Sequence, residues 1–363
     1  MDLQRWLENS LKLQSIPAPT FQEEARAEFM YQEFLARNLL DVSIDRDNNV
    51  FARIPGELNK PLIISAHLDS VFPIETSLAS QRKGNRLFGP GIGDNAISLG
   101  ALLELAHDLA DSLQPNDVWL VANVGEEGLG NLLGMRKVVE RFGEDVLAYV
   151  VLEGMALGHV YHRGLPIHRY RIIANTTGGH AWIHAGRASA IHSIAQLSAR
   201  LSQINIPKDR KWSLNIGRIE GGTSINTIAP KATIELDLRA EDNEILQLLD
   251  SRVRTAVDEA INHEVGFDVT EIGNRPAGEI HADHPLVKAA YRALEDAGIM
   301  DYRLETGSTD ASIPLSKNIP SICIGLTFGS GAHSLDEYIE IKPLEIGYRA
   351  LRSTMDACYL LED

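Results

Sequence analysis

Residues 63–71 read Ile63-Ile64-Ser65-Ala66-His67-Leu68-Asp69-Ser70-Val71, an apolar run ending in a histidine and a carboxylate two positions apart. Pro61 opens the run, and Leu62, Ile63 and Ile64 predict a short buried strand. Side chains of an extended backbone point alternately to opposite faces, so His67 and Asp69 face the same way. A carboxylate placed there can accept the spare ring N–H of the imidazole. That fixes the tautomer and leaves the other nitrogen for a metal. A lone His-x-Asp also describes a strand-end histidine bonded to its neighbour, so the metal reading requires further ligands at other strand ends.

Working outward, the same pattern recurs. Before the run, Met1 to Leu13 carries apolar residues at helical spacing, Pro17 and Pro19 break the chain, and Thr20 with Glu23 reads as a capping box opening a second helix. Val42 to Ile54 has strand character around a turn at Asp47-Asn48-Asn49. After it, the glycine-rich segment from Phe88 to Asn95 delivers Asp94 to the mouth of a helix predicted from Ala96 to about Leu113. Predicted buried strands at Val118 to Val124 and Ala148 to Leu152 end in Glu126-Glu127 and in Glu153. Strand and helix alternating in this way indicate a mostly parallel sheet, whose ligand site lies beyond the carboxyl ends of the strands.

Near Leu165 the order changes. Strand, helix, two strands, helix and strand follow between Tyr170 and Ile272, the β-α-β-β-α-β order of a small ferredoxin-like domain. Elements at 285–297, 321–327 and 343–360 then resume the first alternation. The expected architecture is α/β: a discontinuous mostly parallel-sheet domain of residues 1–166 and 275–363, interrupted by an inserted α+β domain of residues 167–274. The chain of 363 residues, 44% of them hydrophobic, is long enough for two such cores.

A net charge of -16 argues against nucleic acid and anionic membrane as partners. Cys323 and Cys358 are too few for a disulfide framework and too far apart for a Cys-rich zinc module, so any metal must use His, Asp and Glu. The N-terminus reads as an amphipathic helix without a signal peptide, and no apolar run reaches the length of a membrane span. The expectation is a soluble cytoplasmic protein.

The loop Gly329-Ser330-Gly331-Ala332-His333-Ser334 adds a second histidine after the last predicted strand. His67, Asp94, Glu127, Glu153 and His333 are nitrogen and carboxylate ligands of the kind that suit zinc, with cobalt or manganese as substitutes. Five ligands serve two metals if one carboxylate bridges, and Asp94, alone on its loop, is the candidate bridge. Two metals roughly 3.5 to 4 Å apart can share a water and lower its pKa. Glu127 would coordinate, leaving Glu126, pointing another way, as the general base. A solvated Glu-Glu turn is the bland reading of that pair, weakened by the four other ligands.

These residues resemble the two-zinc peptidases and amidohydrolases that include peptidase T, carboxypeptidase G, aminoacylase, acetylornithine deacetylase and succinyl-diaminopimelate desuccinylase. The resemblance covers nearly the whole chain: His67-x-Asp69, the Gly-Pro-Gly-x-x-Asp94 loop, Glu126-Glu127, an acidic residue at 153, the inserted domain, and Ala332-His333-Ser334 with Glu337. It implies the same five ligands, Asp69 orienting His67, and Glu126 as base. It further implies that the insertion is a lid and dimerisation domain making a homodimer. His180 in Gly178-Gly179-His180-Ala181 would stabilise the oxyanion, and Asn226 and Arg239 would contact substrate. The chain departs from the pattern at Asn95-Ala96, where many members have Asp-Lys or Met-Lys. His159, His162, His281 and His284 match no ligand position.

The expected activity is therefore hydrolysis of a peptide or N-acyl amino acid amide bond. Glu at 153 leans towards the deacylases and carboxypeptidases. An aminopeptidase of the peptidase T type, acting on free-amine di- and tripeptides, is the alternative, and a non-catalytic metal-binding dimerisation protein is the remote one.

Overall fold

The computed structural model describes residues 1–207 and 209–361. The chain divides into two compact units, Met1–Gly164 with Gly278–Asp363, and Leu165–Ala277. Each has its own apolar core.

Among the described residues, the larger unit holds a nine-stranded sheet. Its spatial order is Leu40–Ile44, Val50–Ile54, Gln114–Asn123, Gly56–His67, Ala148–Glu153, Ser321–Gly325, His159–Gly164 and Gly278–Glu279, with Arg303–Gly307 also paired to His159–Gly164. The four central strands, from Gln114–Asn123 to Ser321–Gly325, are mutually parallel, and antiparallel strands flank them on both sides. Central parallel strands are covered on both faces, which is why Leu62, Ile63, Ile64 and Val118, Leu120, Val121 run as unbroken apolar sequence and are fully buried. The sheet is thus a mostly parallel one, as the alternation predicts. Sequence reading missed three of its members, His159–Gly164, Gly278–Glu279 and Arg303–Gly307, which are short and of mixed polarity.

Helix Leu3–Ser15 is capped by Asp2, whose carboxylate accepts from the N–H groups of Gln4 and Arg5. Arg5 grips the fully buried Glu104 through two nitrogens at 2.9 and 2.6 Å, tying this helix to helix Ile97–Leu109 behind the Asp94 loop. The capping box expected of Thr20 and Glu23 does not form. The second helix begins at Glu24, and both side chains are used elsewhere. No described helix is long and apolar enough to cross a membrane.

The smaller unit follows strand Ile167–Asn175, helix Ala190–Leu201, strands Trp212–Gly221 and Lys231–Ala240, helix Asn243–Asp258 and strand Gly266–Arg275. The sheet is antiparallel in the order second, third, first, fourth, the ferredoxin-like arrangement. Ile172, Ile234, Leu236 and Leu238 pack on the helices. The alternate residues form a charged face where Asp237 lies opposite Arg169 and Glu235 opposite Arg171, each pair bridged at 2.8 Å.

Candidate metal centre

His67 and Glu153 are the last residues of their parallel strands, and Glu126 and Glu127 follow closely on a third. His333 lies past the fourth, between the short strands Gly329–Ser330 and Tyr338–Glu340 of a second, four-stranded sheet, so the central sheet places three of these positions and the small sheet the fourth. Asp94 arrives from the loop before helix Ile97–Leu109, whose Asp94–Asn95 peptide is cis.

The carboxylate of Asp94 lies between the two imidazoles. Its Oδ1 is 3.0 Å from His67 Nε2 and its Oδ2 is 3.1 Å from His333 Nε2. Glu127 Oε1 is 3.2 Å from His333 Nε2, and Glu153 Oε1 is 3.8 Å from His67 Nε2. The cluster therefore resolves into two half-sites: His67 with Glu153 and one oxygen of Asp94, His333 with Glu127 and the other. One ligand atom from each of His67, Asp94 and Glu127 lies within 4.8 Å of the others. Asp94 Oδ1 is buried and faces His67 Nε2 at 3.0 Å, two ligand-type atoms that a cation between them would satisfy together. Donor types and burial both fit a metal.

The charges agree. Burial opposes protonation of His67, but hydrogen bonds to Asp69 and Asp94 and the charge of Glu153 hold its pKa well above the usual value. Asp94 and Glu127 push His333 up to about 10. Burial works against ionisation of Asp94, yet the two histidines hold it well below the usual carboxylate range. Glu153 is driven far up, first by burial and then by the negative charges of Asp94, Glu126 and Glu127, which outweigh the pull of His67. Carboxylates that favour a cationic imidazole this strongly favour a metal cation in the same place, and metal binding here would release protons.

Supporting contacts come from Asp69 and Thr20, and from Glu337 and Asn95, to which local reading gave no role. His67 Nδ1 is 3.1 Å from the backbone carbonyl of Asp69 and 3.4 Å from its carboxylate, so the carbonyl is the nearer acceptor for the ring. The Asp69 carboxylate also receives the N–H groups of Glu126 and Glu127 at 3.0 and 2.9 Å, and the hydroxyl of Thr20 at 2.9 Å. Glu337, fully buried, accepts from the N–H groups of Gly91, Gly93 and Asp94 at 3.0, 2.7 and 2.9 Å and so holds the Asp94 loop. Asn95 donates to Leu152 O at 2.8 Å and accepts from Gly154 N at 3.2 Å. The departure at 95 thus ties this loop to the strand end that carries Glu153. The spacing of Asn95 and Glu337 to the predicted ligands was the available signal for both.

In the smaller unit, His180 and Asn226 are neighbours. His180 pairs with Thr227, and Ala181 N donates to Asn226 O at 2.9 Å. The exposed His180 ring accepts at Nδ1 from the N–H groups of Trp182 and Ile183 at 3.2 and 3.4 Å, which places its proton on Nε2. Arg239 donates to Asp237 at 2.6 Å on its own strand. His162 is buried against Ile280 O, His159 faces Glu305 at 3.5 Å, His281 is exposed, and His284 caps helix Pro285–Asp296.

Residues 63–357 match the sequence profile of Peptidase family M20/M25/M40. The chain belongs to this family. A peptidase M20 domain-containing protein of Schizosaccharomyces pombe is 29% identical over 210 residues, 55% of this chain and 50% of that protein. The M20 chain thus spans about half the length of that relative. A tripeptidase of Staphylococcus aureus has the same fold, with a TM-score of 0.80 at 20% identity over 99% of both chains. Aminopeptidase PepT of Bacillus cereus gives 0.76 at 19% identity, again over 99% of each. A dinuclear metal-binding M20 peptidase of Bacillus subtilis gives 0.69 at 19% identity, over 99% of this chain and 98% of that one.

Proposed function

We propose that this M20 protein hydrolyses the amide bond of a small peptide or N-acyl amino acid with a two-zinc site, for which cobalt or manganese could substitute. The observation that carries the reading is the division of Asp94: one oxygen faces His67 and the other His333, each histidine with its own second carboxylate. His67, Glu153 and Asp94 would hold one ion, and His333, Glu127 and Asp94 the other. Such a pair, when bound, supplies a shared water of lowered pKa and polarises the scissile carbonyl.

The chain's own groups do the rest. Glu126, buried beside the ligands, takes the proton of the attacking water and returns it to the leaving nitrogen as the C–N bond breaks. His180, whose Nδ1 is engaged by backbone N–H groups, turns Nε2 outward as a donor suited to an oxyanion. Asn226 beside it is the candidate substrate contact, and Arg239 the candidate partner of a substrate carboxylate, its charge shared with Asp237. The smaller unit is assigned as lid and dimerisation domain. Replacing Glu126 by Gln should abolish turnover while elemental analysis still finds two metals per chain, and undiminished hydrolysis by that variant sinks the assignment.

A second reading, aminopeptidase action on free-amine di- and tripeptides, is favoured by loop composition. Residues 89–96, 124–132 and 326–337, which bear most of the ligands, contain no Lys or Arg to hold a carboxylate. Peptides with free and blocked ends separate the two: a requirement for a free amine selects the aminopeptidase, and cleavage of N-acetyl amino acids selects the deacylase.

A further inference from the structure

Where the chain leaves strand Gln114–Asn123 it passes into no helix or sheet, yet four consecutive backbone N–H groups are all satisfied, each by a side-chain oxygen from far away in sequence. Val124 N donates to Asn49 Oδ1 at 3.0 Å, Gly125 N to Glu23 Oε1 at 3.2 Å, Glu126 N to Asp69 Oδ1 at 3.0 Å and Glu127 N to Asp69 Oδ2 at 2.9 Å. Asn49, Glu23 and Asp69 are all buried. The carboxylate of Asp69 is itself fixed at Oδ2 by the Thr20 hydroxyl, 2.9 Å away. The Thr20 hydroxyl thus reaches into this cradle from the segment before the second helix.

We propose that Thr20 and Glu23 are positioning residues for Glu126 and Glu127, acting through Asp69 and Gly125. This rests on the assignment of Glu126 as base and Glu127 as ligand. Two carboxylates and an amide set the path of residues 124–127, and the path sets where both glutamate side chains emerge. Asp69 then has a second task beside its contacts with the His67 ring, which it meets through both its carbonyl and its carboxylate. Without the Thr20 hydroxyl, the Asp69 carboxylate keeps its two N–H partners but loses the bond that fixes its rotation. Both partners move with it. Displacing a base by about 1 Å is worth on the order of 100-fold in rate, and loss of an outer partner of a metal ligand costs about 10- to 100-fold.

The test compares Thr20→Val, Thr20→Ser and Glu23→Gln with wild type and Glu126→Gln. Hydrolysis is assayed on leucylglycine and N-acetylleucine, and zinc affinity by competition with a chromophoric chelator. Thr20→Val, which keeps shape and removes the hydroxyl, should lower kcat about 10- to 100-fold with KM within about twofold. It should weaken one zinc site and leave the other. Thr20→Ser should restore both. Glu23→Gln, which leaves an oxygen able to face Gly125 N, should show a smaller loss of the same kind. Unchanged kcat and zinc affinity in Thr20→Val overturn the proposal, as does an equal loss in Thr20→Ser. If Thr20→Val does not fold, Glu23→Gln and Thr20→Ala decide on the same readouts, and wild-type values for both overturn it. Should Glu126→Gln hydrolyse as well as wild type, the base assignment itself fails. Should Glu126→Gln be inactive while Thr20→Val is not impaired, only the positioning role fails.

Discussion

Gly154, directly after Glu153, lies against the loop that carries Asp94, and a single methyl there tests how far the site depends on that approach. A Cβ at 154 would stand 2.0 Å from Gly93 O and 2.3 Å from Ile97 Cγ2. Ordinary van der Waals contact begins near 3.4 Å, so the loop or the strand end must retreat by about 3.4 − 2.0 = 1.4 Å. Gly93 precedes Asp94, and Asn95 is bonded both to Gly154 N and to Leu152 O, so the displacement falls on the bridging carboxylate. Overpacking of this kind costs typically ~1–3 kcal/mol, and more where backbone is the obstacle. Gly154→Ala is therefore expected to lose about 2–4 kcal/mol of stability. Metal affinity should fall by about 10- to 100-fold, as for other disturbances around a ligand. Chelator competition followed by elemental analysis measures the second, and denaturant unfolding of the metal-free protein the first. Gly266→Ala, where a Cβ meets nothing within 4 Å, is the control and should change neither. Wild-type metal occupancy and stability in Gly154→Ala would refute the claim that this contact fixes Asp94.

Three further outcomes follow from the same contacts. Glu337→Ala removes the acceptor of three loop N–H groups, and should cost about 2–5 kcal/mol in unfolding experiments and lower metal occupancy. Arg5→Ala leaves the fully buried Glu104 without its guanidinium, and should destabilise by about 3–5 kcal/mol with metal affinity unchanged once folded. The metal-free protein should lose stability as pH rises, because His333 titrates near 10 when folded against about 6.5 unfolded. That contribution is complete below about pH 6.5 and gone above about 10; metal-loaded protein, with its histidines deprotonated, should show a flatter melting profile across the same window.

Much of the fold was legible because its centre is buried on both faces. The central parallel strands announce themselves as apolar runs, and the ligands follow at their carboxyl ends, so His67, Glu127 and Glu153 could be placed from the order of elements. The antiparallel margin was not legible. Strand His159–Gly164 mixes His159, His162 and Arg163 with Val160 and Tyr161, and carries no periodicity that separates it from a loop. Asn95 was read only as part of a departure, standing with Ala96 where many members have Asp or Met followed by Lys, since sequence pattern compares positions with a family and does not show that an amide can bridge Leu152 and Gly154.

Thr20 and Glu23 show what local reading weighs wrongly. Their spacing is that of a capping box, a device worth on the order of 1 kcal/mol to a helix. Against it stand four backbone donors at 124–127 that leave the sheet inside the protein, each costing about 1–3 kcal/mol if left unmade. The larger demand wins. The helix starts at Glu24 without a side-chain cap, and the oxygens that would have capped it serve Asp69 and Gly125 instead. The competition is decided between segments about a hundred residues apart, so no window on the sequence around Thr20 contains it. What the window does contain is the symptom, a well-formed capping signal in front of a helix that does not use it. A signal of that kind near predicted metal ligands is therefore worth reading twice, once for the helix and once for the donors that a strand end leaves behind.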